Sequence, residues 1–397
     1  MAVQTVTTTS YGSRIMGSIK GIITGIILFI VSLPVLWMNE GRAVKTYKAL
    51  KEGAGAVISV EATQIDGGNE GKLIHISGKA ETADVLTDPQ FGVSFTGIGL
   101  EREVEMYQWR ENTSTETKKK VGGSEEKITT YTYEKAWSSS AINSSTFQER
   151  VDPQTQEQRI NPGTIPYEET KQKAKNVNVG AFKLTDDQIS RIGTPISYSI
   201  KEDQPLPNIP NVARIANGFY ISKNGTSSLA APVIGDIKVT FKIIAQQDIS
   251  ICSVQTGESF KPYKAKNGRS IDLLSSGIKT ADEMFESAQK GNVIMTWVIR
   301  IVGFLLMYFG ISTILAPFAV LADVLPFLGN LVRTGTSAIS FLIALPISLL
   351  IIALAWIFYR PLLGITLLVI VVICAVLIIK KALAAKKNAP TEAPAQG

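Results

Sequence analysis

The chain has 397 residues, 45% hydrophobic and 19% charged, with a formal net charge of +6 and a sequence pI near 9.1. Two cysteines, Cys252 and Cys374, exclude a disulfide framework, and a single histidine, His75, leaves no Cys/His set for zinc. The basic excess includes Arg14, Lys20, Lys380, Lys381, Lys386 and Lys387, beside apolar runs, where such residues set membrane orientation and meet anionic headgroups, so no nucleic-acid partner is expected.

In chain order, residues 1–20 form a cytoplasmic segment and residues 21–39, uncharged between Lys20 and Glu40, form a first span. About 20 apolar residues cross a bilayer as a helix. The run exceeds the roughly 7–15-residue core of a signal peptide and lacks a cleavage site after Trp37-Met38, so it is a retained anchor. Residues 40–293 then form a polar, β-rich extracytoplasmic domain. Strand-like runs rich in β-branched and aromatic residues recur at 56–62, 72–78, 101–110, 128–137, 196–201, 218–222 and 236–244. The stretch 112–127, with Gly122-Gly123, joins two long strands as a hairpin. Gly99-Leu100 before Val104 and Gly235-Asp236 before Val239 hint at a duplicated β unit. The pattern Thr185-Asp186-Asp187-Gln188 is a capping box. A further helix begins near Thr280, carries Asp282 and Glu283 in its first turn, and runs into a second span at 294–316.

Pro317 is expected to interrupt that helix, so residues 317–333 read as a short amphipathic segment lying in the interface. Residues 334–359 and 361–379 form a third and a fourth span, meeting at Phe358-Tyr359-Arg360-Pro361-Leu362 in a tight helical hairpin. Arg360 snorkels there, and Pro361 suits the first turn of a new helix. Trp297, Trp356 and Tyr359 read as interfacial anchors, like Trp37. Residues 380–397 are a basic cytoplasmic tail. The fold class is therefore an integral membrane α-helical protein of four spans, plus a large α+β, mainly β, extracytoplasmic domain.

No catalytic residue is assigned and no cofactor is expected. There is no nucleophile elbow, phosphate-binding glycine loop, zinc-binding His pair or Cys-x-x-Cys. His75 sits in a strand-like run as a structural histidine. Glu101, Glu103 and Glu105 share one strand face, opposite Arg102, as a solvated or salt-bridged surface. The spans carry no ionisable residue of the kind that marks an ion path. Gly21 and Gly25 offer a small-residue face for helix packing.

Several pieces together resemble one family. They are Asn39-Glu40-Gly41-Arg42-Ala43; Asn69-Glu70-Gly71-Lys72-Leu73-Ile74-His75-Ile76; Asp88-Pro89 with Gly92-Val93; Val104-Glu105-Met106-Tyr107-Gln108-Trp109; Ile142-Asn143-Ser144 before Phe147; Gly235-Asp236; Met295-Thr296-Trp297; and Phe358-Tyr359-Arg360-Pro361-Leu362. In order and spacing these resemble the LUMA, or transmembrane protein 43, family. The resemblance implies a multipass membrane protein with a large luminal domain. In animals it implies the endoplasmic reticulum and inner nuclear membrane, with emerin and lamins as associates and a role in organising protein complexes. The Lys-rich tail with Ala389-Pro390 and Ala393-Pro394 points instead to a bacterial member, with a periplasmic domain and an inner-membrane location, to which lamina partners do not transfer.

The expected function is a non-enzymatic multipass scaffold that homo-oligomerises, contacts membrane lipid and gathers other membrane proteins through its external domain. The alternatives are an ion channel or channel subunit, and an envelope enzyme with a site near His75 and Glu101–Glu105. Asn39, Glu40, Gly41, Arg42, Trp297, Arg300, Tyr359, Arg360 and Pro361 are the expected junction residues. Glu70, Gly71, His75, Glu105, Tyr107 and Trp109 are the expected domain motif.

Overall fold

The computed structural model describes residues 3–361. The fourth span (from residue 362), the basic tail and Cys374 lie outside the described residues. The chain separates into two compact units, a β-rich one (Met1–Ser10, Lys48–Lys120 and Ser124–Lys290) and a helical one (Tyr11–Tyr47, Val121–Gly123 and Gly291–Gly397).

The β-rich unit contains two large sheets, and each has its own core. One has eight strands. Its backbone is the hairpin Gly99–Lys119 with Glu125–Ser138, flanked on one side by Val3–Thr9 and on the other by Ile237–Ile244. The hairpin predicted across 112–127 is present, but its strands run deep into that polar stretch and pair out to Lys119↔Glu125. Alternation along Gly99–Lys119 places Leu100, Val104 and Met106 on the core face with Phe91, Phe219, Val239 and Phe241. The rings of Phe91 and Phe219 stack at 5.8 Å, and Phe241 meets Phe91 edge-on at 6.1 Å. Gly99-Leu100 and the Gly235-Asp236 strand do not form separate repeats; the two strands they lead are direct antiparallel partners, Val104↔Val239.

The second sheet has seven strands and nearly closes on itself. Its end strands, Phe182–Lys183 and Ser259–Lys261, are joined by a hydrogen bond from Lys183 N–H to the Glu258 carbonyl at 2.7 Å, and Phe182 stacks on Phe260 at 5.4 Å. Ile74, Ile76, Ile249 and Ile251 fill the interior. The opposite face of the same strands is also buried. Leu73 and Cys252 there meet Ala49 and Leu50 of α1 (Tyr11–Ala56). They also meet Met284 and Phe285 of α3 (Ala281–Ala322). Both-face burial explains why Gln247–Thr256 gave no half-exposed strand signal: Ser250, Ser253 and Gln255 are buried along with Ile249, Ile251, Cys252 and Val254. Between these helices in sequence, α2 (Asp186–Ser190) carries the predicted capping box, with Thr185 and Gln188 bonding reciprocally.

The helical unit holds most of α1 and α3, together with α4 (Pro326–Tyr359). All three helices are long and apolar enough to cross a membrane. α1 continues past residue 39, and α3 begins at Ala281 in the β-rich unit, as the Thr280 signal predicted. The expectation for residues 317–333 is corrected. Pro317 lies inside α3, and the break falls at Asp323–Leu325, after which Pro326 occupies the first turn of α4. Proline removes one helical N–H, a loss that membrane helices tolerate when neighbours satisfy the freed carbonyl. No separate interfacial helix forms. α1 and α3 approach at Gly25 and Gly310, where an added Cβ on Gly25 would lie 2.7 Å from the Gly310 carbonyl oxygen. This is the helix-packing role expected of Gly25.

Burial pushes the Cys252 thiol up to about 12, so it reacts only when the β-rich unit opens. Phe241→Ala should destabilise this unit by about 3–5 kcal/mol. Alkylation of Cys252, followed by peptide mass spectrometry, should then accelerate by roughly a hundredfold or more.

Candidate functional site

The predicted junction residues converge at one end of the helical unit. Glu40 on α1 is 1% exposed. It accepts from Arg300 Nε at 2.7 Å and Nη2 at 2.9 Å, and from the Trp356 indole N–H at 2.7 Å. One carboxylate therefore joins all three helices. Arg300 lies 4.8 Å from the Trp297 ring and 5.5 Å from the Trp356 ring, and Arg360 lies 5.9 Å from the Trp356 ring.

Beside this cluster Asn39 donates to the Thr296 carbonyl, and Arg42 donates to Asn39, to Asn292 Oδ1 and to Thr296 Oγ1. Asn292 returns a bond to the Ala43 carbonyl. Gly41 is required by a close approach, because a Cβ there would lie 2.6 Å from Tyr359 Cζ. Trp37 packs against Phe358 at 5.7 Å and Tyr359 at 6.0 Å. Pro361 follows Arg360, the residue that caps α4.

Asn292 and Thr296 complete the network but were not singled out as site residues. Their signal was present in the four-residue spacing of two polar side chains at the start of an apolar helix.

A second ionic group lies at the other end of the helices. Asp323, fully buried, pairs with Arg14 of α1 and with Arg333 of α4 at 3.0 Å. Gly122 N–H donates to the Val324 carbonyl at 2.9 Å, and Arg14 donates to the Gly123 carbonyl. From Arg14 to Glu40 α1 rises roughly 39 Å, whereas α3 from Arg300 to Asp323 and α4 from Arg333 to Trp356 each rise roughly 35 Å. That separation lies between the hydrocarbon core of a bilayer, about 30 Å, and its full thickness of about 40–45 Å.

The expected domain-motif residues do not form one site. Glu70 accepts from Gly257 N–H, and Gly71 adopts φ +74° in the turn before its strand. His75 receives Ser59 Oγ at Nδ1 (3.1 Å) and donates from Nε2 to the Lys279 carbonyl (2.8 Å), a satisfied structural arrangement just ahead of α3. Glu105 and Glu103 pair with Lys238 and Lys242 of the neighbouring strand, each at 2.6 Å. This is the salt-bridged face the sequence suggested. Tyr107 packs on Trp137, and Trp109 faces Lys135 and Arg159. Among the described residues no three His, Cys, Asp or Glu side chains gather to hold a metal.

Long apolar helices joined by buried ion pairs, with a polar β-rich unit, define a multipass membrane protein. The family model for Transmembrane protein 43 matches residues 106–361. The chain is 32% identical to Transmembrane protein 43 of Rattus norvegicus over 362 residues, covering 88% of this chain and 87% of the relative. It is 31% identical to the Homo sapiens protein over 360 residues, with 88% and 87% covered. It is also 28% identical to the Drosophila melanogaster homolog, with 87% and 90% covered. The chain belongs to the transmembrane protein 43 family. No solved structure matches it.

Removing one partner of a buried ion pair strands the other charge. Glu40→Ala should therefore cost about 3–5 kcal/mol and lower the melting temperature of the full-length protein in detergent, read by tryptophan fluorescence. Arg42→Ala should also lower it, because Arg42 bonds Asn39, Asn292 and Thr296 across the helix pair. Equal stability of Glu40→Ala and wild type would remove the pair from its proposed role.

Proposed function

We propose that the protein is a non-enzymatic membrane scaffold that associates with copies of itself and gathers other membrane proteins through its β-rich unit. The observation that carries this reading is the open ribbon of the eight-stranded sheet. Among the described residues, Val3–Thr9 ends the sheet, and the distal half of Gly99–Lys119 pairs only with Glu125–Ser138. Both edges present unpaired N–H and C=O groups, the usual template for adding a strand from another chain. The ribbon is polar and rich in threonine, which suits recognition through backbone hydrogen bonds more than an apolar contact. Its charged groups elsewhere in the unit are largely consumed by partners within the chain, as with Glu103, Glu105 and Asp88.

The tail composition supports a bacterial inner-membrane setting with the β-rich unit in the periplasm. In a eukaryotic cell the corresponding compartment is the lumen of the endoplasmic reticulum or nuclear envelope. On either reading the part of the β-rich unit that follows α1 lies on one side of the membrane.

Crosslinking in native membranes, then affinity isolation and mass spectrometry, tests the scaffold. Replacing residues 113–131 by a two-residue Asn-Gly turn, which keeps the Asn112↔Thr132 register, should abolish the crosslinked assemblies while the monomer still folds. Unchanged assemblies would separate the ribbon from assembly, and a lone monomer in wild-type membranes would overturn the scaffold itself.

The side occupied by the hairpin tip is a separate question, because Gly122 and Gly123 contact α1 near Arg14, at the end remote from Glu40. Val121→Cys and Thr226→Cys, each in a Cys374→Ser background, should label with a membrane-impermeant thiol reagent from the same side. Labelling from opposite sides would show that the hairpin crosses with the helices and would end the single-sided topology.

A further inference from the structure

We propose that the Arg300–Trp356–Arg360 cluster is a binding site for the phosphate of an anionic phospholipid headgroup. The first argument is charge. Along residues 11–47 and 291–361 the only acidic side chains are Glu40 and Asp323, and Asp323 is held at the other end by Arg14 and Arg333. Glu40 pairs with Arg300, and among the described residues no acidic side chain pairs with Arg360, so these two arginines and one acid carry excess positive charge.

The second argument is hydrogen bonding. Glu40 already accepts two bonds from Arg300 and one from Trp356. Arg300 uses Nε and Nη2 for that pair, and among the described residues no acceptor meets its Nη1. The half-buried Arg360 guanidinium is placed over the Trp356 ring, and among the described residues no acceptor meets it either. A planar guanidinium with its donors open is suited to a phosphate, which it grips through two parallel N–H bonds.

The third argument is placement. The indole that positions Arg360 is itself fixed by its bond to Glu40, so the cation is held before any ligand arrives. Trp297 is 58% exposed, and Met38 and Phe358 are each 67% exposed. An apolar surface thus lies near the cations, where acyl chains would run. Tryptophan at this position marks the headgroup level of a membrane. A free phosphate would use the guanidinium alone, whereas a phospholipid uses the guanidinium and the apolar surface together. The lipid is the source assigned.

Full-length protein in mixed micelles of equimolar phosphatidylglycerol and phosphatidylcholine, read by native mass spectrometry, tests this. Wild type should retain phosphatidylglycerol preferentially. Arg360→Gln should lower that preference roughly tenfold, the effect of losing one charged contact of about 1.4 kcal/mol. Arg360→Lys should recover part of it, and Lys79→Gln on the β-rich unit should change nothing. Melting in phosphatidylcholine alone should be equal for Arg360→Gln and wild type, whereas phosphatidylglycerol should raise the melting temperature of wild type only. An unchanged preference in Arg360→Gln would overturn the site. Displacement of the lipid by millimolar glycerol phosphate would reassign it to free phosphate.

Discussion

Glu40 sits among apolar helices with almost no access to water, and such a carboxylate is tolerable only while its charge is met and its lone pairs are occupied. Arg300 supplies the charge through a two-pronged contact, and Trp356 supplies a third donor. Because the three groups come from α1, α3 and α4, satisfying this one side chain fixes the helices' relative position at that level. The neighbouring features follow from the same closeness. Tyr359 packs so near α1 that residue 41 must lack a Cβ, and Asn39, Arg42, Asn292 and Thr296 satisfy one another across the same helix pair. Apolar packing at Leu36 and Met307 then continues away from the cluster.

The β-rich unit obeys a different constraint, the alternation of side chains across a sheet. In Leu73–Glu81 the residues Ile74 and Ile76 fill the interior of the seven-stranded sheet, which leaves Leu73 and His75 on the opposite face. His75 there bonds the carbonyl of Lys279, the residue preceding Thr280, whose hydroxyl accepts from Glu283 N–H while Glu283 accepts from Thr280 in return. A strand-face position thus anchors the start of a long helix. Hydrogen bonds from Thr280 hold the Glu283 carboxyl below its usual range, consistent with an acid at a helix N-terminus.

Much of this was legible in the residues. Charge-free runs located α1, α3 and α4, the capping box at Thr185 located α2, and Glu101, Glu103 and Glu105 were rightly placed opposite Arg102. What escaped had physical causes. Pro317 was read as a helix breaker by rules learned in water, where a lost N–H bond and a clash usually end the helix. Val3–Thr9 was not read as a strand, because a short Thr-rich strand acquires its identity only from its partner in Glu125–Ser138. The short strands Val85–Asp88 and Val93–Thr96 pair with each other around a turn fixed by Asp88, whose carboxylate accepts from Gln90 and Phe91 N–H and from Arg102. That buried pair could not be found from spacing, since its partners lie 14 positions apart in sequence.

The two ionic clusters of the helical unit have unlike compositions, and the difference gives the bundle a polarity. At the Asp323 end one acid is matched by Arg14 and Arg333, and the hydroxyl of Tyr11 caps the Leu321 carbonyl. At the Glu40 end the acid pairs with Arg300 while Arg360 lies over the Trp356 ring, and all three indoles of the described helical unit, Trp37, Trp297 and Trp356, are found there. Both ends close helix–helix contacts with charge, yet only the Glu40 end surrounds its cations with aromatic rings. Rings that stack on guanidinium groups keep them extended and oriented without neutralising them, which a second carboxylate would do. At one end both arginines reach the acid, whereas at the other Arg360 lies against a ring, and that asymmetry is built from side chains at fixed helical positions.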